Sequence, residues 1–319
     1  MELNISSLIE EASERIKPFR YLTPLEYSHV LSEELSCSVY LKLENYQVTG
    51  SFKARGALNK ILKLKESGDH IVTASTGNHA AAVSYALKEV GLNGTIFLPE
   101  NVTETKINFL KQFTNIELKY YGNDSVVTEK QARKWASKNH CNFVSPYNDI
   151  DIIAGQGTIG LEIINQIGGS PDAVFVPVGG GGLISGIASY LKYNSSTDVV
   201  GCQPENSAVM HRSVEAGKIL DIESAPTVSD GTAGGVEEDS ITYPFCSELV
   251  DSWVEVSENE ILKAMKSIII DHHMMIEGAA GLALASLSKE KHKYVGKKVV
   301  LILCGNKINE QLLFKVLNQ

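Results

Sequence analysis

The chain has 319 residues, 43% hydrophobic and 21% charged with 26 glycines, which suits an α/β protein with one large domain and a smaller satellite. A net charge of −9, without a Lys or Arg run, gives no attraction to a phosphate backbone, so nucleic acid is not an expected partner. Cys37, Cys141, Cys202, Cys246 and Cys304 lack CxxC spacing, which argues against a zinc site or disulfide framework and suits a reducing cytoplasm.

The N-terminal stretch MELNISSLIEEASERIKPF is amphipathic and acidic, lacking the basic start and apolar run of a secretory signal. VYLKLEN at 39–45 reads as a strand, and GSFKARGA at 50–57 leads into a helix. From Ile71 strands and helices alternate: IVTAS, NHAAAVSYALKEVG, TIFLP, ETKINFLKQF, IELKYYG, VVTEKQARKWASKN and CNFVSP. The short β-branched runs are apolar throughout, as strands buried on both faces of a parallel sheet must be, and the helices carry a polar face. A second series follows: GTIGLEIINQIG as helix, AVFVPV as strand, four glycines, LISGIASYLKYN as helix and VVGCQP as strand. Helix ENEILKAMKSIIIDHH and strand KKVVLILC close it. No apolar run, such as 299–303, is long enough to cross a bilayer, so no membrane partner is expected.

Four motifs could carry chemistry. In GSFKARGA, Lys53 sits near a helix start where a lysine can point into a cleft, although a lysine taken at random is usually solvated. In VPVGGGGLISG, Gly179, Gly180, Gly181 and Gly182 lie between a strand and the helix opened by Leu183. Their N–H groups can converge on an anion at the positive helix end, and phosphate fits better than a merely flexible turn. The spacing is neither a GK[ST] phosphate loop nor a GxGxxG dinucleotide fingerprint. In STGNHAAA, the amides and side chains of Ser75, Thr76 and Asn78 suit either a carboxylate grip or helix capping, while His79 orders the loop. Cys304 ends an apolar strand, as a small core filler or as a ligand neighbour at the strand's C-terminal end.

Other residues carry less. His272 and His273 are adjacent and lack the i, i+4 spacing of paired metal ligands; Glu237, Glu238 and Asp239 read as a solvated loop before a cation site. No metal is expected.

These segments, in this order, resemble the fold-type II pyridoxal phosphate enzymes, specifically the threonine/serine dehydratase and serine racemase group. The resemblance runs from Thr23, Pro24 and Leu25 through GSFKARGA, STGNHAAA, IAGQGTIGLEI, GGGGLISG, SDG at 229–231, EGAAG at 277–281 and CGN at 304–306. It implies a tryptophan synthase β-like fold: two open twisted α/β domains with a cofactor cleft between them. Residues 1–68 and 149–319 would form the large cofactor-binding domain and 69–148 a small mobile one. It implies Lys53 on the cofactor aldehyde as a Schiff base, Phe52 against the pyridine ring and Asn78 on the ring hydroxyl. It places Gly179 to Gly182 with Leu183 on the phosphate, Cys304 beside the ring nitrogen, and Gly231 and Glu277 along the cofactor. Ser75, Thr76, Asn78 and His79 would clamp the substrate α-carboxylate. The implied reaction is α,β-elimination from a β-hydroxy amino acid of the L-threonine or L-serine type, with hydroxyaspartate a further candidate, giving a 2-oxo acid and ammonia in a cytoplasmic homodimer.

The chain departs from that pattern in places. Gln203 and Val209 stand where the racemase branch has metal-binding acids, which argues against a cation there. Thr76 stands where racemases present a serine and many threonine dehydratases an alanine, so racemisation of serine or hydroxyaspartate is the alternative activity. The ending CGNKIN, with Asn306 and Lys307, resembles the branch that includes hydroxyectoine-utilisation dehydratases. A regulatory domain is not expected after Gln319. A non-catalytic cofactor-binding protein is a third reading, disfavoured by an intact Lys53.

Overall fold

The computed structural model describes residues 5–123 and 125–319. Its strands are β1 (Leu25–Tyr27), β2 (Ser38–Lys42), β3 (Ile71–Ala74), β4 (Gly94–Leu98), β5 (Ile116–Tyr120), β6 (Asn142–Phe143), β7 (Ala173–Pro177), β8 (Asp198–Pro204), β9 (Ser252–Val256) and β10 (Lys298–Ile302). They form two sheets, one ordered β1-β2-β10-β7-β8-β9 and one ordered β5-β4-β3-β6. Every pairing is parallel except β1 with β2. The parallel strands β3, β4 and β7 are buried at every position, as helix-covered strands must be.

Two differences from the sequence reading have physical causes. SWVEV forms the edge strand β9, where burial alternates toward one face, so it lacks the unbroken apolar run by which the other strands were read. The helix read from Gly157 begins at Ile150, capped by the Asp149 carboxylate, which accepts from the N–H groups of Asp151 and Ile152. The glycines of IAGQG look like breakers in sequence. In space they let helices touch backbone to backbone. A Cβ on Gly155 would lie 2.6 Å from the Cα of Gly56, and one on Gly186 2.3 Å from the Ile153 carbonyl. Helices Lys53–Leu64 and Gly182–Asn194 therefore pack against Ile150–Ile167 closer than side chains permit. The N-terminal helix Ile5–Ile16 packs on the same group through Ile9, Ala12 and Ile16.

Beside these helices lies a buried charge cluster. The Arg55 guanidinium donates to both oxygens of Glu44 (2.8 and 2.7 Å) and both of Glu162 (2.6 and 2.9 Å). Lys42 donates to Glu162 at 2.6 Å, to the Thr23 carbonyl at 2.8 Å and to Gln166 at 2.8 Å; Arg20 adds a 2.9 Å bond to Glu162. Thr23 Oγ1 donates to Glu44. Burial pulls the Arg55 guanidinium toward neutrality, but Glu44 and Glu162 overcome it and hold the pKa above its ordinary value. Burial likewise opposes ionisation of Glu162, yet Arg55 and Lys42 keep it below the usual carboxylate range.

Arg55→Leu leaves Glu44 with no ion-pair partner within 4 Å among the described residues, so we expect a loss of about 3–5 kcal/mol, read as a lower urea midpoint. A loss under about 1 kcal/mol would show that the cluster tolerates an unpaired acid. Gly186→Val should also destabilise, by about 1–3 kcal/mol or more, because its Cβ meets backbone and no flexible side chain can yield.

Candidate active site

Three strand-to-helix connections meet at the C-terminal ends of β3, β7 and β10, where open α/β sheets take ligands. Lys53 is the first residue of the helix Lys53–Leu64. The preceding residues are stitched to the end of β10: the Phe52 N–H donates to the Cys304 carbonyl (3.1 Å), and Ser51 bridges Gly305. The Lys53 ammonium donates to the Pro146 carbonyl at 2.7 Å and lies 5.1 Å from the centre of the Phe52 ring. Burial pulls its pKa down to about 8, against the opposing pull of Cys304, Glu277 and Glu129.

Cys304 is buried at the end of β10, and its thiol hydrogen points to Glu277 Oε1, 3.9 Å away. Burial, reinforced by Glu277, holds that thiol well above its ordinary pKa, so it is neutral. Glu277 precedes the helix Gly278–Glu290, and burial pushes its carboxyl up to about 7, with Asp230 adding to the shift. Asn78 Nδ2 donates to both Glu277 oxygens (3.0 and 2.9 Å), and the Lys307 N–H adds a bond of 3.2 Å. Asn78 Oδ1 is buried without a partner. Gly231 lies against Glu277, close enough that a Cβ there would sit 3.4 Å from Oε1.

The helix Asn78–Val90 begins without a side-chain cap. Ser75 Oγ accepts from the Gly77 N–H (3.2 Å), and Thr76 Oγ1 accepts a 3.5 Å bond from Lys106. His79 is buried and its Nε2–H donates to the Val144 carbonyl at 3.0 Å. Burial and the nearby Lys53 pull its pKa down to about 3, so the ring is neutral and pins the turn to residue 144.

At the end of β7, Gly181 has φ of +87°, a left-handed turn that leads into the helix Gly182–Asn194, where Leu183 is buried. Among the described residues, the N–H groups of Gly179, Gly180, Gly181, Gly182 and Leu183 meet no protein acceptor. Five open donors at a helix start make an anion cradle. Tyr147 lies over it, its ring so close that a Cβ on Gly180 would stand 2.5 Å away.

Side-chain partners that the sequence does not reveal complete the surroundings. The Tyr147 hydroxyl accepts from the Glu237 N–H (3.0 Å), and Glu237 takes bonds from Arg133 (3.0 Å) and Asn148 (2.9 Å). The loop at 237–239 is therefore only partly the solvated loop expected: Glu238 and Asp239 are exposed, whereas Glu237 ties the loop to residues 133 and 148. Glu129, bound by Arg133 at 2.7 Å and near enough to Lys53 to affect its charge, sits on an amphipathic helix where nothing marks it apart from a solvated acid. Gln203 uses both ends of its amide, donating to the Val178 carbonyl and accepting from the His211 N–H. His272 caps its helix and meets Ser28 at 3.1 Å, while His273 follows in a left-handed conformation.

A family model described as pyridoxal-phosphate dependent enzyme matches residues 16–305. The catabolic L-threonine dehydratase of Staphylococcus aureus (strain N315) is 40% identical over 309 residues, covering 94% of this chain and 88% of that protein. The processed form of threonine deaminase isoform 2 from Solanum lycopersicum superposes with a TM-score of 0.94 at 29% identity, covering 100% of this chain and 88% of that one. Maize serine racemase superposes with a TM-score of 0.89 at 29% identity, covering 98% and 96%. The matched residues run from the first helix through Lys53 and the glycine cradle to the Cys304 turn, and the chain belongs to the family of pyridoxal-phosphate dependent enzymes.

Proposed function

We propose that this chain is a pyridoxal-phosphate-dependent lyase converting a β-hydroxy amino acid of the L-threonine or L-serine type into a 2-oxo acid and ammonia. The observation that carries the reading is one amine, Lys53, held near a pKa of about 8 in a cleft with an open N–H cradle and a neutral thiol. These residues fit the cofactor: Lys53 for the aldehyde, 179–183 for the phosphate, Phe52 along the ring, Cys304 toward the ring nitrogen. Asn78 Oδ1, buried without a partner, is available to the ring hydroxyl, with Gly231 and Glu277 lining the same space. Bound there, pyridoxal phosphate supplies an electron sink for the pair left at Cα when its proton departs.

Lys53 would hold the cofactor's aldehyde at rest, and its Nζ is the base placed to take the substrate's Cα proton; a depressed pKa keeps a useful fraction of the free amine neutral near pH 7. The uncapped start of Asn78–Val90, with the hydroxyls of Ser75 and Thr76, holds the α-carboxylate and so aims the Cα–H bond. Asn78 and the neutral His79 fix that turn. The neutral Cys304 thiol, in place of a carboxylate, would leave the ring nitrogen beside it uncharged, which suits prompt loss of the β-hydroxyl. Water lost in that step is regained when hydrolysis releases the oxo acid and ammonia.

A second reading, amino-acid racemisation, rests on the Thr76 hydroxyl, which has a lysine at 3.5 Å to exchange protons with, and on the likeness to a solved serine racemase. Products separate the two: oxo acid with ammonia, or the opposite enantiomer. In the same reading, residues 69–148 are a small domain that closes over substrate, supported by a sheet whose strands all fall between 71 and 143; substrate-dependent amide exchange absent from that stretch would refute it. The cytoplasmic homodimer also belongs to this proposal, with five free cysteines as support for a reducing compartment; light scattering at the 34.7 kDa monomer mass would refute the dimer.

Purified holoenzyme should show a visible absorption band that Lys53→Ala abolishes, and should form oxo acid and ammonia from L-serine or L-threonine, with kcat at least roughly a hundredfold lower in the variant. Enantiomer interconversion without oxo acid would transfer the assignment to a racemase; a band unchanged in Lys53→Ala would refute the role of Lys53. In cofactor-free protein, an amine-reactive reagent should label Lys53 with a midpoint near pH 8, because the neutral amine rises through the depressed pKa. A midpoint at the ordinary 10.5 would show that burial does not govern this amine.

A further inference from the structure

Lys307 follows the Cys304 turn and is unusual for its surroundings. Its N–H is bonded to Glu277 at 3.2 Å, and its ammonium lies 4.5 Å from the centre of the Phe109 ring, on the helix Glu104–Leu110. Among the described residues no carboxylate lies within 4 Å of that ammonium. Lys106, on the same helix as Phe109, points its ammonium at the Thr76 hydroxyl, also without a carboxylate partner. Burial lowers the Lys307 pKa to about 8 against the opposing pull of the Glu277 carboxylate, and Lys106 is near enough to add to the lowering by repulsion.

The backbone that presents Lys307 is held rigidly. Asn306 Nδ2 donates to the Asn45 carbonyl (2.6 Å), and its N–H donates to the Gly50 carbonyl (3.0 Å). Its side chain fits only because residue 50 has no Cβ, which would fall 2.4 Å from Asn306 Oδ1. A half-buried ammonium on a fixed support beside the substrate turn, whose acidic neighbour Glu277 stands beyond 4 Å and is itself engaged by Asn78, is complementary to an anion that arrives with a ligand. The α-carboxylate already has the uncapped helix start at Asn78 and the hydroxyls of 75 and 76.

We infer that Lys307, with Lys106 at the entrance beside Thr76, receives a second carboxylate on the substrate, so that the β-hydroxy amino acid taken best is a dicarboxylic one. This rests on the lyase reading above and narrows its substrate class. The methyl group of threonine and the hydrogen of serine offer an ammonium nothing; a β-carboxylate supplies a charge-assisted hydrogen bond.

The test compares 3-hydroxyaspartate with L-serine on the holoenzyme and on Lys307→Met and Lys307→Arg, and measures by calorimetry the binding of succinate and butyrate, which cannot react. Wild type should favour 3-hydroxyaspartate in kcat/KM. Lys307→Met should lower the ratio of the two kcat/KM values roughly tenfold or more, and Lys307→Arg should retain most of it. Succinate should bind more tightly than butyrate, and Lys307→Met should remove that difference. An equal loss with both substrates, or no preference for succinate, overturns the inference and leaves Lys307 as a packing contact to Phe109. A succinate preference that depends on Lys307, with no oxo acid formed from any substrate, upholds the carboxylate receptor and refutes the lyase reading.

Discussion

A guanidinium buried between two carboxylates holds this site in shape. Arg55 is two residues beyond Lys53 on the same helix, and its four bonds to Glu44 and Glu162 fix that helix to the segment after β2 and to the long helix Ile150–Ile167. Charges this deep are stable only with every partner in place, so the cluster admits few alternative arrangements of the helix start. A lysine that must meet both a carbonyl group and a Cα proton needs that fixity. The bonds of residues 51 and 52 to the end of β10 hold the approach to Lys53, whose ammonium donates to the Pro146 carbonyl, and the cluster holds the helix behind it.

The site proper has a different electrostatic character. Around Lys53 the groups are held near neutrality: His79 uncharged, Cys304 protonated, Glu277 shifted up to about 7. Ion-paired and unshielded charges stand behind the helix, in the cluster, and at the mouth, where Arg133, Glu237, Lys106 and Lys307 lie. A low-charge interior lets small changes in protonation decide the chemistry, and a charged rim can select what enters.

Much of this was legible in the sequence because it is local. Strand, glycine run and helix are contiguous at 173–194, so a turn with open N–H groups follows from order alone. The segments buried on both faces carried unbroken apolar runs. What could not be read depends on residues far apart in the chain. Glu162 lies 107 residues from Arg55, and Glu237 lies 104 from Arg133. A buried acid, a rim acid and a solvated acid are the same letter until the partner is known. The early start of Ile150–Ile167 was hidden for a related reason: glycine's local preference argues against helix, and only contact with another backbone reverses it.

That contact between backbones has a consequence for how this chain can diverge. In an ordinary core, a lost methyl group on one side can be offset by a larger side chain opposite, so a family drifts through compensating pairs. Where Gly155 meets Gly56 and Gly186 meets the Ile153 carbonyl there is no side chain to exchange. Substitution at one position has no partner that can shrink in reply. The three helices that carry Lys53, the long central span and the cradle are thus locked together against gradual repacking, and sequence change is left to the outer helices and the rim.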